Sequence, residues 1–452
     1  MNSGASIARQ QRLFGAVVCG TVFFVSCGFP RSLHMIENPT SPSSETEMFD
    51  ATRTGAFGSV LASFRGESSG PFTLLIADPM AGVGHARAGI VHLTTSKRHL
   101  TPILEGGDGD VFGIGLACLK DLDRDGSEDV GVFSCSRVTG ALSFSAVTTD
   151  GRLIWTRGTD KPIESRMAWR PIAMPTPDID DDGVPDVAML WGGQCGRDWR
   201  NELQVLSGRS GRVLWQVAEA LPSGKAVSMV ISSGWVASRC CILVGVVNPA
   251  QTVSGQRGTD SGLSMATPGV VCAFTLDNGQ LAGILEGRTC GGNWSFGWSL
   301  DIVGDLNADG HGELLVAQRG QPGENGVWAV STLSGVPVKA WRQRWPYSTS
   351  VKIIAVGDCD SDDVEDLAVA APNAFAGSIT VLSGATDAVL GTLIGSEFDI
   401  DFGADVALAG DWDGDGVVDI AIGIASIDGW QAGRGSVDIR SMRTWKSISS
   451  FE

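Results

Sequence analysis

The chain has 452 residues, 60 of them glycine and only one tyrosine, and its 33 basic and 51 acidic side chains leave a formal charge of −18. So large an acidic excess excludes nucleic acid and an anionic membrane surface as the main partner, because both repel it. The length is ample for a large core, and abundant glycine with many short apolar runs favours an all-β, turn-rich fold in which a repeat array makes one domain.

Residues 1–28 hold Arg9 and Arg12 and then the apolar run "LFGAVVCGTVFFVSCG". At sixteen residues this run falls short of the roughly 20 needed to span a bilayer and reads as the apolar region of an export signal. Its end, "FVSC", places small Ser26 before Cys27 in the manner of a bacterial lipobox, with Phe24 where leucine is usual. Lipid attachment at Cys27 and simple secretion are both open, so the protein is expected to be secreted, periplasmic or lipid-anchored to the cell envelope. Residues 29–50, rich in Pro and Ser, read as a flexible polar tether.

Five nine-residue stretches then crowd like charge together: "DLDRDGSED" (121–129), "DIDDDGVPD" (178–186), "DLNADGHGE" (305–313), "DCDSDDVED" (358–366) and "DWDGDGVVD" (411–419). Each keeps an oxygen-bearing side chain at positions 1, 3, 5 and 9, a spacing that random acidic composition does not reproduce. Such packing is repulsive unless a cation sits in the middle, and calcium takes six to eight oxygen ligands at ~2.3 to 2.6 Å. The side-chain ligands expected are Asp121, Asp123, Asp125 and Asp129; Asp178, Asp180, Asp182 and Asp186; Asp305, Asn307, Asp309 and Glu313; Asp358, Asp360, Asp362 and Asp366; and Asp411, Asp413, Asp415 and Asp419. The backbone carbonyls of Ser127, Val184, His311, Val364 and Val417 complete the sets. EF-hands are excluded, since no bidentate Glu stands at position 12 and each loop runs into a short valine-rich strand rather than a helix. The loops hold 23 of the 51 acidic residues, so five bound divalent cations would reduce the net charge from −18 to −8.

Phe-Gly pairs set a register. Phe112, Phe296 and Phe402 each stand nine residues before a loop, and Phe57 by the same rule predicts a loop at Gly66 that has lost its carboxylates. The 127-residue interval from Asp178 to Asp305 is twice the others, which places a second degenerate loop near Ser233. Seven units result, each with two further strands after the loop strand, as in "GSITVLSGATDAVLGTLIG" (377–395). Four antiparallel strands per ~55 residues is the signature of a β-propeller blade. Residues 51–452 are therefore expected to form a seven-bladed β-propeller with blades at roughly 51–110, 111–159, 160–224, 225–288, 289–344, 345–395 and 396–452.

"FDIDFGADVALAGDWDGDGVVDIAIG" (398–423) resembles the FG-GAP repeat of integrin alpha-subunit propellers and many secreted bacterial proteins, and "FGWSLDIVGDLNADGHGELLVAQ" (296–318) is nearly as similar. The resemblance covers about 51–452. It implies calcium loops between the first and second strands of a blade, on the face away from the main ligand surface, and calcium as a structural staple. This chain departs from the pattern at the two degenerate units, at Asp363 in place of the loop glycine, and in a Gly-Ala-Pro element that survives only as "AAP" (370–372).

The chain is expected to be a non-catalytic, monomeric module of the cell envelope or exterior that binds protein or glycan. Its membrane contact would be limited to a lipid at Cys27. The ligand face should be built from connections after the second strand and between blades. Candidate anchors are Arg197, Trp199 and Arg200, the insertion 248–269, Trp294 and Trp298, and Trp345 with Tyr347, whereas Trp155, Trp215 and Trp341 read as packing. The alternative is an enzyme on the same scaffold, a quinone-dependent dehydrogenase, lyase or hydrolase, for which "SGRSGRVLWQV" (207–217) offers a resemblance and the five histidines offer no evident pairing. Eight cysteines outside the leader permit disulfides, with Cys118–Cys135 and Cys272 with Cys240 or Cys241 as candidate pairs and buried free thiols as the alternative.

Overall fold

The computed structural model describes residues 58–451 apart from connections between strands, chiefly 65–71, 80–88, 95–99, 159–170, 248–267, 320–325, 343–350 and 425–434. The leader, the tether, the loop at Gly66, the long insertion, Trp345 and Tyr347, and the side chains of Arg197, Trp199 and Arg200 lie outside the described residues. Among the described residues no helix is long and apolar enough to cross a membrane.

Among the described residues, twenty-eight strands form seven four-stranded antiparallel sheets, each built from four strands consecutive in the chain. The valine-rich runs that follow the acidic loops are the second strands, for example Glu313–Gln318 and Asp366–Ala371. Their even and odd side chains point to opposite faces of the sheet, and both faces are buried. In blade 5, Leu314 and Val316 join an apolar cluster with blade 4, and Leu315 and Ala317 join one with blade 6. One such cluster stands at each of the seven junctions, including that between blades 7 and 1. Each fully buried Leu or Val contributes about 1.5–3 kcal/mol, and a lone blade would forfeit this on both faces. The radial array follows from that physical requirement.

The first strands of successive blades lie side by side around the ring, as Ser299–Val303 does against Lys352–Gly357 and Val60–Phe64 against Phe402–Gly410. Ring closure needs no exchanged strand. The last strand, Ser447–Phe451, completes its own blade, and blade 1 is joined to blade 7 by packing and hydrogen bonds. Phe72 N–H donates to the Ala409 carbonyl at 2.8 Å, and Leu61 N–H donates to Asp405 Oδ2 at 2.8 Å. Asp405 is 1% exposed and also pairs with Lys352 of blade 6, so one carboxylate ties three blades. Asp405→Ala leaves the Leu61 N–H without this acceptor and is expected to cost about 1–3 kcal/mol in urea unfolding; wild-type stability would show that closure does not depend on this clasp.

The expected tryptophan packing is present as a docking contact between blades. Trp155, Trp215 and Trp341, each on a fourth strand, donate Nε1–H to the carbonyls of Gly208, Leu276 and Ser383 in the next blade, at 2.6, 2.9 and 3.2 Å. Trp298 is buried as well, with the Arg319 guanidinium 3.8 Å from its ring centroid.

Two expectations are corrected. Ser233 does not open a loop: it lies within the strand Lys225–Trp235, which pairs with Arg239–Val247, so the connection in blade 4 falls at 236–238. The pairing of the two strands runs past this point to Trp235 opposite Arg239, with an irregularity at Ser233 and Gly234. The candidate disulfides are also absent. Cys118 and Cys135 occupy opposite ends of one strand pair, facing Val130 and Val111, and Cys272 faces Val244, while Cys241 faces Thr275. Cys118, Cys240, Cys241 and Cys272 are free thiols, and burial raises the Cys272 thiol to about 12 and that of Cys241 to about 11.

Candidate metal centres

All five acidic loops join the first and second strands of their blades and share one hydrogen-bond scheme. The position-1 carboxylate accepts the backbone N–H groups of positions 5 and 6: Asp125 and Gly126 on Asp121 at 3.1 and 2.8 Å, and Asp415 and Gly416 on Asp411 at 3.0 and 2.9 Å. Asp178, Asp305 and Asp358 do the same in their loops. The position-5 carboxylate accepts the N–H of position 7, at 2.8 to 3.0 Å throughout. At position 9 an oxygen accepts the N–H of position 2, as Asp129 does from Leu122 and Asp419 from Trp412, both at 2.7 Å.

This winding needs left-handed backbone at two places. Position 6 is glycine in four loops, with φ of +81° to +91°, and Asp363 adopts φ +66° in the fifth, so the departure from glycine leaves the loop intact. Position 4 is also left-handed, at Arg124, Asp181, Ala308, Ser361 and Gly414. No sequence signal marks it, because four of the five residues there are not glycine. Ala308 at φ +60° carries the steric penalty of that region with no side-chain hydrogen bond to offset it. Ala308→Gly is expected to raise stability by about 0.5–1 kcal/mol in chemical unfolding, and a loss of stability would contradict this backbone assignment.

In every loop three acidic side chains bring one oxygen each to within 4.8 Å of one another: Asp121, Asp123 and Asp129; Asp178, Asp180 and Asp186; Asp305, Asp309 and Glu313; Asp358, Asp360 and Asp366; Asp411, Asp413 and Asp419. Positions 1, 3 and 9 converge in four of the loops. Asp125, Asp182, Asp362 and Asp415 stand outside these triads and brace position 7 instead. In the blade 5 loop Asn307 takes position 3, its amide nitrogen donating to Asp309 and Glu313 at 2.9 and 2.8 Å, and Asp309 enters the triad. Of the position-7 residues, Val184 buries its side chain in the apolar cluster between blades 2 and 3 and Val417 in that between blades 6 and 7, Ser127 is exposed, and Val364 and His311 are partly buried. The His311 ring leans on blade 4, 3.1 Å from where a Cβ on Gly234 would stand, rather than projecting into solvent.

The ninth position is the deepest. Asp129, Asp186, Glu313, Asp366 and Asp419 are all fully buried. Burial first, and then repulsion from the other loop carboxylates, outweighs the backbone N–H bonds and raises Asp129 and Asp366 to about 6 and Glu313 and Asp419 to about 7, with Asp186 shifted in the same direction. Asp186 and Asp366 satisfy their second oxygen with the N–H of Gly208 and Gly384, both at 2.9 Å, in the turn between the third and fourth strands. Asp129 has no such partner: its buried Oδ1 accepts no hydrogen bond. A buried carboxylate oxygen without a partner, beside two more carboxylates, fits a hard divalent cation bound by oxygen.

The class is defined by these features together: a seven-bladed β-propeller with an acidic nine-residue loop between the first and second strands of five blades. No protein-family model matches the chain. No curated protein matches it either. Among solved structures it is similar to Saccharomyces cerevisiae Sqt1, at 10% identity over 88% of this chain and 86% of that one with a TM-score of 0.46. It is also similar to the Dos1 propeller, at 10% identity over 88% of this chain and 84% of that one with a TM-score of 0.45.

Proposed function

We propose that this chain is an exported FG-GAP-type propeller in which calcium occupies the five acidic loops as a structural staple, and that it serves as a non-catalytic binding module for protein or glycan at the cell envelope or exterior. The observation that carries the reading is the fivefold recurrence of one loop, with three oxygens within 4.8 Å of one another each time. The apolar leader and the lipobox-like "FVSC" support export, and extracellular modules bind calcium at roughly 10⁻⁴ to 10⁻³ M, a range that suits that compartment.

The residues fit the metal's needs. Positions 1, 3 and 9 would supply the carboxylates, with Asp309 in place of position 3 in blade 5, and bound calcium would neutralise a cluster that is otherwise mutually repulsive. The chain's own contribution is to hold those oxygens in place through backbone N–H groups before any cation arrives. Ligand binding is assigned to the opposite face, where the described side chains offer Trp294 with the Arg319 guanidinium 5.2 Å from its ring centroid, an arginine–aromatic pair of the kind that anchors interfaces. Calorimetric calcium titration tests the reading: four or five sites are expected, and heats no larger than those of calcium injected into protein-free buffer would remove its basis.

A further inference from the structure

The five loops differ in what else touches their carboxylates. In blade 2, Asp123 of the triad is ion-paired with Arg152 Nη2. Arg152 directly follows a turn whose backbone is pinned twice, Thr148 N–H donating to the Arg152 carbonyl and Gly151 N–H to the Thr148 carbonyl, both at 2.9 Å. Its guanidinium is therefore presented from a fixed base, while the side chain, 64% exposed, is free to swing into solvent. Blades 3 and 7 place arginines farther off, Arg212 3.9 Å from Asp180, Arg209 3.9 Å from Asp182 and Arg443 3.7 Å from Asp415. In blade 5 the corresponding turn offers only the Ser331 hydroxyl, donating to Asp309 at 3.1 Å.

Building on the calcium reading, we propose that Arg152 sets the cation affinity of the blade 2 loop by acting as a built-in competing cation on Asp123. The independent sign that this loop is a site is Asp129 Oδ1, buried on a side chain with 0% exposure and without a hydrogen-bond partner. A guanidinium cannot share the position-3 carboxylate with a divalent ion at full strength, because the two cations repel at close range. Calcium binding then requires Arg152 to leave Asp123, and the pair's electrostatic stabilisation is lost in exchange. The loop of blade 5, which has no guanidinium on its triad among the described residues, fills without this step.

The test is calcium-dependent hydrogen–deuterium exchange of the full chain, read separately in peptides covering 119–130, 303–315 and 409–421. Arg152→Ala is expected to lower the calcium midpoint of protection in 119–130 by about threefold to tenfold, to flatten its dependence on sodium chloride, and to leave the other two peptides unmoved. Arg152→Lys, which keeps the charge, is expected to stay near the wild-type midpoint. An unchanged or raised midpoint for 119–130 in Arg152→Ala, with calcium still protecting every loop, overturns the role of Arg152 alone. Absence of calcium protection in all three peptides of the wild-type chain overturns the cation reading and this inference with it.

Discussion

Chelation of divalent cations is expected to lower the unfolding temperature of this propeller more than any single substitution. A site filled at ten times its dissociation constant adds about 1.4 kcal/mol, so five such sites add about 7 kcal/mol, a large share of the 5–15 kcal/mol by which domains are usually stable. The effect should depend on pH in a definite direction. Without a cation, the carboxyls of Asp129 and Asp366 titrate at about 6 and those of Glu313 and Asp419 at about 7, all above the ordinary carboxylate value near 4. Folded pKa values raised in this way contribute stability that is fully present below about pH 4 and is lost as pH rises through 6 to 7. Calcium binds only the deprotonated ligands, so its stabilisation grows over the same interval. The gap between melting temperatures with calcium and with chelator should therefore widen from pH 5 to pH 8. A gap that is constant or narrows would contradict assignment of these buried carboxylates as the ligands.

Trp341→Ala is expected to be the most destabilising of the core substitutions, at about 3–5 kcal/mol in urea unfolding. Trp341 is 1% exposed within the cluster between blades 5 and 6, and its Nε1 donates to the Ser383 carbonyl. The other side of that same peptide unit, Gly384 N–H, holds Asp366 Oδ1 at 2.9 Å. Lys339 also reaches across, donating to the Gly384 carbonyl at 2.6 Å with its ammonium 5.0 Å from the Trp341 ring centroid. The substitution thus removes a blade-to-blade anchor and loosens the turn that positions Asp366 of the blade 6 loop. Trp341→Phe, which refills most of the volume but cannot donate, separates the two effects. It should recover most of the stability while leaving exchange at Gly384 faster than in the wild type. Identical exchange in both would place the anchoring in ring packing rather than in the hydrogen bond.

Trp215 makes the same kind of contact to Leu276 in blade 4, where the acidic loop is missing. Tryptophan docking therefore belongs to the propeller itself, and the acidic loops are an addition to five of its blades. In the sequence the two features look independent, one late in a blade and one early. Only the turn between the third and fourth strands, which touches both, connects them.

What the sequence determined by itself is whatever repeats locally. The spacing of carboxylates at positions 1, 3, 5 and 9, the Phe-Gly register and the alternation of apolar runs are short-range patterns, and they were enough for seven blades of four antiparallel strands and for the five loops. The tertiary structure decided what depends on neighbours distant in the chain. Asp405 reads as one more acidic residue until Leu61, 344 positions away, is found donating to it. The left-handed position 4 is fixed by closure of the loop onto its position-1 carboxylate rather than by residue type, which is why Arg124 and Ala308 stand there. Spacing alone does not reveal that the position-5 carboxylates also brace the backbone, each accepting the N–H of position 7. Blade 4 shows the same limit: composition revealed the lost carboxylates, but that the strand continues through Ser233 to pair Trp235 with Arg239 depends on the facing strand.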